Sequence, residues 1–115
     1  MTNAAAIRDR FLRDAPPRRL GSVAANLARI ETFAAEPDHS ELVRCLAEES
    51  AFFIEWAAPD AEPEIQRELL ALQRSLVHWN RSWTSVWGDP QQRMAMRETA
   101  QHWAQRLLEL AGIAP

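Results

Sequence analysis

The sequence predicts an all-α fold: an antiparallel four-helix bundle preceded by a short N-terminal arm, mobile or partly helical. Three observations carry this. Apolar residues recur at intervals of three and four along four separate segments, as one buried face of a helix requires. Pro and Gly punctuate the joints, at Pro16-Pro17, Pro37, Pro59, Gly88 and Gly112. No stretch shows the two-residue alternation of a half-buried strand. Joints this short lay successive helices side by side in opposite directions.

The arm covers residues 1–17, and Ala4 to Asp14 within it can form a short, frayed helix. The bundle covers residues 18–115. Its first helix spans about residues 18–35, with Leu20, Val23, Leu27, Ile30 and Phe33 inward and Asn26 inside the same stripe; Glu36-Pro37 stops it. The second spans about residues 38–58, where Asp38 caps the free amides and Glu41 completes a capping box. At ~100° per residue, Leu42, Leu46, Glu49, Phe53 and Trp56 share one narrow sector. Val43 and Ile54 widen the apolar arc to ~200°, and Ile54 on the flank suggests a helix or subunit contact.

The third helix spans about residues 61–87, with Pro63 tolerated in its first turn. Ile65, Leu69, Leu72, Leu76, Trp79, Trp83 and Val86 form an unbroken seam of coiled-coil type. The fourth spans about residues 90–111. Asp89 caps it, Pro90 takes the first helical position and Gly112 ends it. Met96, Ala100, Trp103, Leu107 and Leu110 face inward.

At 115 residues the chain supports one core without staples. Its one cysteine, Cys45, excludes an intrachain disulfide and reads as a small buried hydrophobe. The chain shows neither a secretory leader nor the ~20 apolar residues of a membrane helix, which predicts a cytoplasmic protein without membrane insertion. Charge is uneven. Residues 1–19 hold five Arg and two Asp; the remainder holds eight Arg and fourteen acidic residues. A basic arm on an acidic body is most simply a solvated tail; it can also dock on that body, on an acidic partner or on a phosphate surface. The acidic body and the lack of a reading motif argue against specific nucleic-acid binding.

Glu49 is the first candidate residue, because it falls inside an apolar stripe. A buried carboxylate must be hydrogen-bonded, paired or protonated. Layer counting sets it level with Asn26 and Arg106. The three make either a polar layer that fixes helix register or the lining of a pocket. The second candidate group is aromatic. Trp79, Trp83 and Trp87 follow at intervals of four, level with Phe33 and Met94. Each of the five tryptophans buries ~150–250 Å². That load either simply fills the core or leaves the end around Trp83 and Trp87, with Ile54 on its neighbour's flank, partly exposed as a partner surface.

The three histidines offer no chemistry. His78 and His102 fall on polar faces, His39 lies in a first turn, and no inward Glu-x-x-His pair occurs. With no phosphate loop, nucleophile elbow or zinc motif, no enzyme, metal or cofactor is expected. The residues therefore predict a non-enzymatic protein-interaction or regulatory module presenting an aromatic apolar surface. Its partner is a protein, a second copy (a homodimer) among the candidates. The alternative is a small-ligand-binding bundle with an internal pocket lined by Glu49 and Trp residues.

The string Asn26-Leu27-Ala28-Arg29-Ile30, the run Glu48 to Trp56, and Trp79, Trp83 and Trp87 resemble a family of small all-helical cyanobacterial proteins of unknown function. The resemblance covers about residues 20–112 and leaves the basic arm outside. It implies a helical fold and carries no functional residue with it.

Overall fold

The computed structural model describes residues 3–113, and among these every regular element is helical. The helices are α1 (Ala4–Arg13), α2 (Pro16–Phe33), α3 (Ser40–Ala57), α4 (Pro63–Arg81), α5 (Trp83–Gly88) and α6 (Pro90–Leu110). Single 3₁₀ turns, Pro37–His39 and Ala58–Asp60, bracket α3.

The N-terminal arm is an ordered, docked helix. Asn3 caps α1 by accepting from the Ala6 amide at 3.1 Å. Phe11 is its one buried residue, stacked on Phe53 with ring centres 4.5 Å apart and packed against Trp56. Arg19 then ties the helix down. Its guanidinium donates to the carbonyls of Leu12 (2.8 Å) and Asp14 (2.9 Å) and to Asp60 Oδ2 (2.9 Å). Terminal carbonyls of a helix lack internal partners, and a buried guanidinium supplies three fixed donors at once. By charge alone Arg19 counts only as part of the basic N-terminal segment; its side chain is 11% exposed.

Helix α2 packs between α3 and α6. Leu20, Val23, Leu27 and Ile30 are buried on its inner side, as their spacing requires. Small residues Gly21, Ala24, Ala25 and Ala28 line the groove toward α6, which places Ala104 across from them. Arg97 of α6 closes the far end by donating to the Glu31 carbonyl at 2.9 Å.

Helix α3 differs from expectation in rotation. The sequence put Leu42, Leu46, Glu49, Phe53 and Trp56 at the centre of the buried face. Val43, Ala47, Ser50, Ile54 and Ala57 occupy it instead. The two stripes differ by about one residue, or ~100°. Small side chains at 47, 50 and 57 let α3 approach its neighbours closely, and Ser50 Oγ is satisfied by the Leu46 carbonyl at 2.7 Å. Leu46 and Phe53 remain half-buried at the edge, while Leu42, Cys45, Glu49 and Phe52 face outward. The expected capping box also shifts. Asp38 lies in the 3₁₀ turn, and His39 precedes α3 with no side-chain cap.

The long third helix is two. Ser82, at φ −112 and ψ 30, leaves helical geometry and separates α4 from α5. The seam survives the break: Leu69, Leu72, Leu76, Trp79, Trp83 and Val86 are all buried. Three hydrogen bonds set α4 and α5 against α3. Gln73 donates to the Ala51 carbonyl, Trp83 Nε1 to Ser40 Oγ and Trp87 Nε1 to the Pro37 carbonyl, each at 3.0 Å. Numbers fall along α3 as they rise along α4 and α5, so the two run in opposite directions. At the start of α6, Asp89 Oδ1 accepts from the Gln91 amide at 2.9 Å, with Pro90 at the first helical position. At its end Gly112 adopts φ 72, the left-handed conformation that glycine takes without strain.

Candidate functional site

The residues expected to form an aromatic surface do not form one. Trp79, Trp83 and Trp87 are 5%, 7% and 9% exposed. Trp83 and Trp87 stack with ring centres 5.4 Å apart. Both indole donors are paired inside, and Arg93 lies over the Trp87 ring while donating to the Trp87 carbonyl at 2.7 Å. Ile54 is core rather than flank. Phe33 is half-buried, edge-on to His39 at 5.3 Å. Only Met94 of that group is exposed. The core absorbs these rings because the Pro37–His39 turn brings a carbonyl and the Ser40 hydroxyl over them. Satisfied indole donors remove the main cost of burying tryptophan.

The expected polar layer is a rim contact. Asn26 is buried, and its amide donates to Glu49 Oε1 at 3.0 Å, but Glu49 itself is exposed. Arg29 completes the set by donating to Asn26 Oδ1 at 3.2 Å. Arg106 lies elsewhere. It grips Glu68 of α4 through two 2.7 Å bonds and reaches Glu109 at 3.2 Å. The fork holds the Glu68 carboxyl below its ordinary value of 4.5, chiefly through the Arg106 hydrogen bonds, and raises the Arg106 guanidinium further. This pair staples α4 to α6 and takes no part with Glu49.

What lies open is the outer side of α3 and α4. Leu42 (42% exposed), Phe52 (54%), Leu70 (54%) and Val77 (39%) all belong to these two helices. Between α1 and α3 runs an open groove of about 340 Å³, lined by Ala4, Ile7, Cys45, Glu48, Glu49, Phe52 and Trp56. Its floor is aromatic and its rim acidic. Cys45, expected inside, borders this groove because of the same rotation that exposes Glu49. Across the α3–α4 seam the character changes: a shallow depression on α4 is walled by Leu70, Arg74, Val77 and Arg81. Gln73 Oε1 and Asn80 Oδ1 are buried along that seam without a protein partner.

The surface has a signal in the sequence that the inward seam obscured. Arg67, Leu70, Arg74, Val77 and Arg81 are spaced three, four, three and four apart. This is a second helical stripe on the opposite side of α4 from the leucine seam.

Among the described residues, no three His, Cys, Asp or Glu side chains gather where they could hold a metal ion. Nor is any helix long and apolar enough to cross a membrane. No family model matches the chain, and no curated protein or solved structure proved similar to it.

Proposed function

We propose that this chain is a non-enzymatic protein-interaction module, a four-helix antiparallel bundle of α2, α3, α4–α5 and α6, working in the cytoplasm. Helix α1 is an accessory strapped onto α3, and the working surface is the outer face of α3 and α4. The observation that carries this reading is the exposure of Phe52, Leu70 and Val77 there, while Trp79, Trp83 and Trp87 lie buried with the two stacked indoles hydrogen-bonded. Exposed apolar side chains interleaved with charge are the composition of a docking surface rather than of a reaction centre. A photo-crosslinking residue at position 52 or 70 is expected to trap a polypeptide, whereas one at the exposed Thr84 is not. Failure of both positions to trap any polypeptide would overturn the reading.

A second reading is supported by the α1–α3 groove. Its volume suits a small ligand, and Glu49 and Trp56 stand together in its wall. An apolar molecule bearing a positive charge fits that lining. Native mass spectrometry would then find a small molecule on the purified protein and lose it with Glu49→Gln.

A further inference from the structure

The outer face of α3 carries Glu41, Cys45, Glu48, Phe52 and Glu55, spaced four, three, four and three apart. The outer face of α4 carries Arg67, Leu70, Arg74, Val77 and Arg81, spaced three, four, three and four. All ten side chains are exposed. Each stripe alternates charge with a less polar residue, one wholly acidic and the other wholly basic.

Run in opposite directions, the stripes match position by position. Glu41 meets Arg81, Cys45 meets Val77, Glu48 meets Arg74, Phe52 meets Leu70 and Glu55 meets Arg67. In every such pair the residue numbers add to 122. The helices already run oppositely inside one molecule at nearly the same level, since Ala51 bonds Gln73 and Ser40 bonds Trp83. Within the molecule, however, the stripes point outward and do not join. Among the described residues Arg67, Arg74 and Arg81 form no ion pair, and the one partner of Glu48 is Arg44 on its own helix.

We infer that the face formed by α3 and α4 binds a second copy of this chain in an isologous dimer. A twofold axis parallel to the helices, lying between two such faces, sets α3 of one protomer on α4 of the other. Because that rotation preserves level along the axis, it reproduces the register above, and each complementary contact occurs twice. The stripes supply a partner for each unpaired arginine and cover Phe52, Leu70 and Val77. The Ala4–Asp9 part of α1, which borders Phe52 and Glu55, forms the rim. This inference rests on reading that face as an interaction surface and adds the identity of the partner.

Charge complementarity across a contact sets specificity and register, and reversing it is repulsive. The test is sedimentation or light scattering on the full chain from micromolar to near-millimolar concentrations. The wild type is expected to dimerise, and more weakly at high salt. Glu48→Arg alone and Arg74→Glu alone each set like charges against one another twice, and each is expected to weaken the dimer about tenfold or more. Mixed in equal amounts, the two variants form a heterodimer in which both contacts are again opposite in sign. The double variant carrying both changes regains self-association. Circular dichroism on each variant separates loss of dimer from loss of fold, since exposed substitutions leave the helices intact. A wild type that stays monomeric throughout overturns the inference; a different protein trapped at position 70 then leaves the interaction reading standing. A dimer indifferent to both reversals, or a mixture that fails to recover, also overturns it.

Discussion

Two aromatic groups in this molecule, one of three tryptophans and one of three phenylalanines and a tryptophan, are buried to different degrees. Trp79 of α4 and Trp83 and Trp87 of α5 are all but hidden, with the two stacked indoles hydrogen-bonded to Ser40 at the start of α3 and to Pro37 in the turn before it. Phe11, Phe52, Phe53 and Trp56 lie on the other side of α3, where one ring is buried, two are half-buried and Phe52 faces out. The first group belongs to the main core; the second sits at its edge, where the ten-residue α1 packs on α3. Aromatic spacing alone therefore does not distinguish core from surface. What separates the groups is whether a neighbouring element supplies both apolar cover and a partner for each polar atom.

Trp83→Ala should produce the largest loss, since it opens a cavity and strands the Ser40 contact; about 3–5 kcal/mol is expected, read as a fall in the urea midpoint. A loss below ~1 kcal/mol would show that this end is not core. Phe11→Ala tests the thinner cover. The expected loss lies near the low end of ~3–5 kcal/mol, and its signature is local: amide exchange accelerates across α1 while α2 and α6 keep their protection. Uniform acceleration would mean that α1 is integral to the core. Arg19→Met removes three donors, two from part-buried carbonyls and one from the exposed Asp60 carboxylate, and is expected to cost about 2 kcal/mol, again with faster exchange in α1.

At the exposed end of the comparison, Phe52→Ser should change monomer stability by no more than about 0.5 kcal/mol. A larger loss, measured under conditions that keep the protein monomeric, would place Phe52 in the core after all. The smallest effect belongs to Glu68. Its pKa is lowered in the folded protein, so its contribution is complete above about its ordinary value of 4.5 and fades as pH falls through the folded value. Glu68→Gln should flatten the acid side of the stability profile below that pH and leave the shape above it unchanged.

Much of the architecture was legible. Helix content, the joints at Pro37, Pro59 and Gly88, the leucine seam of α4 and the Asp89-Pro90 start of α6 all follow from local rules of capping and period. Asn26 and Glu49 do meet. The rotation of α3 was not legible, because an apolar arc of ~200° has no unique centre. Large side chains pulled the expected centre toward Phe53 and Trp56, whereas close packing selected Ala47, Ser50 and Ala57. From that one rotation of about 100° follow the exposure of Glu49, Cys45 and Phe52 and the burial of Ile54.

Local chemistry by itself determined that the segments are helical and where most of their joints fall, the break at Ser82 and the start of α3 excepted, since those choices depend mainly on neighbours within about four residues. Which part of a broad oily side faces the core depends on side chains far along the chain. Only the assembled molecule could decide that Ser40 and Pro37 would meet Trp83 and Trp87, or that Arg19 would hold the end of α1. The acidic and basic stripes were written in the sequence; their shared outward face came from tertiary packing.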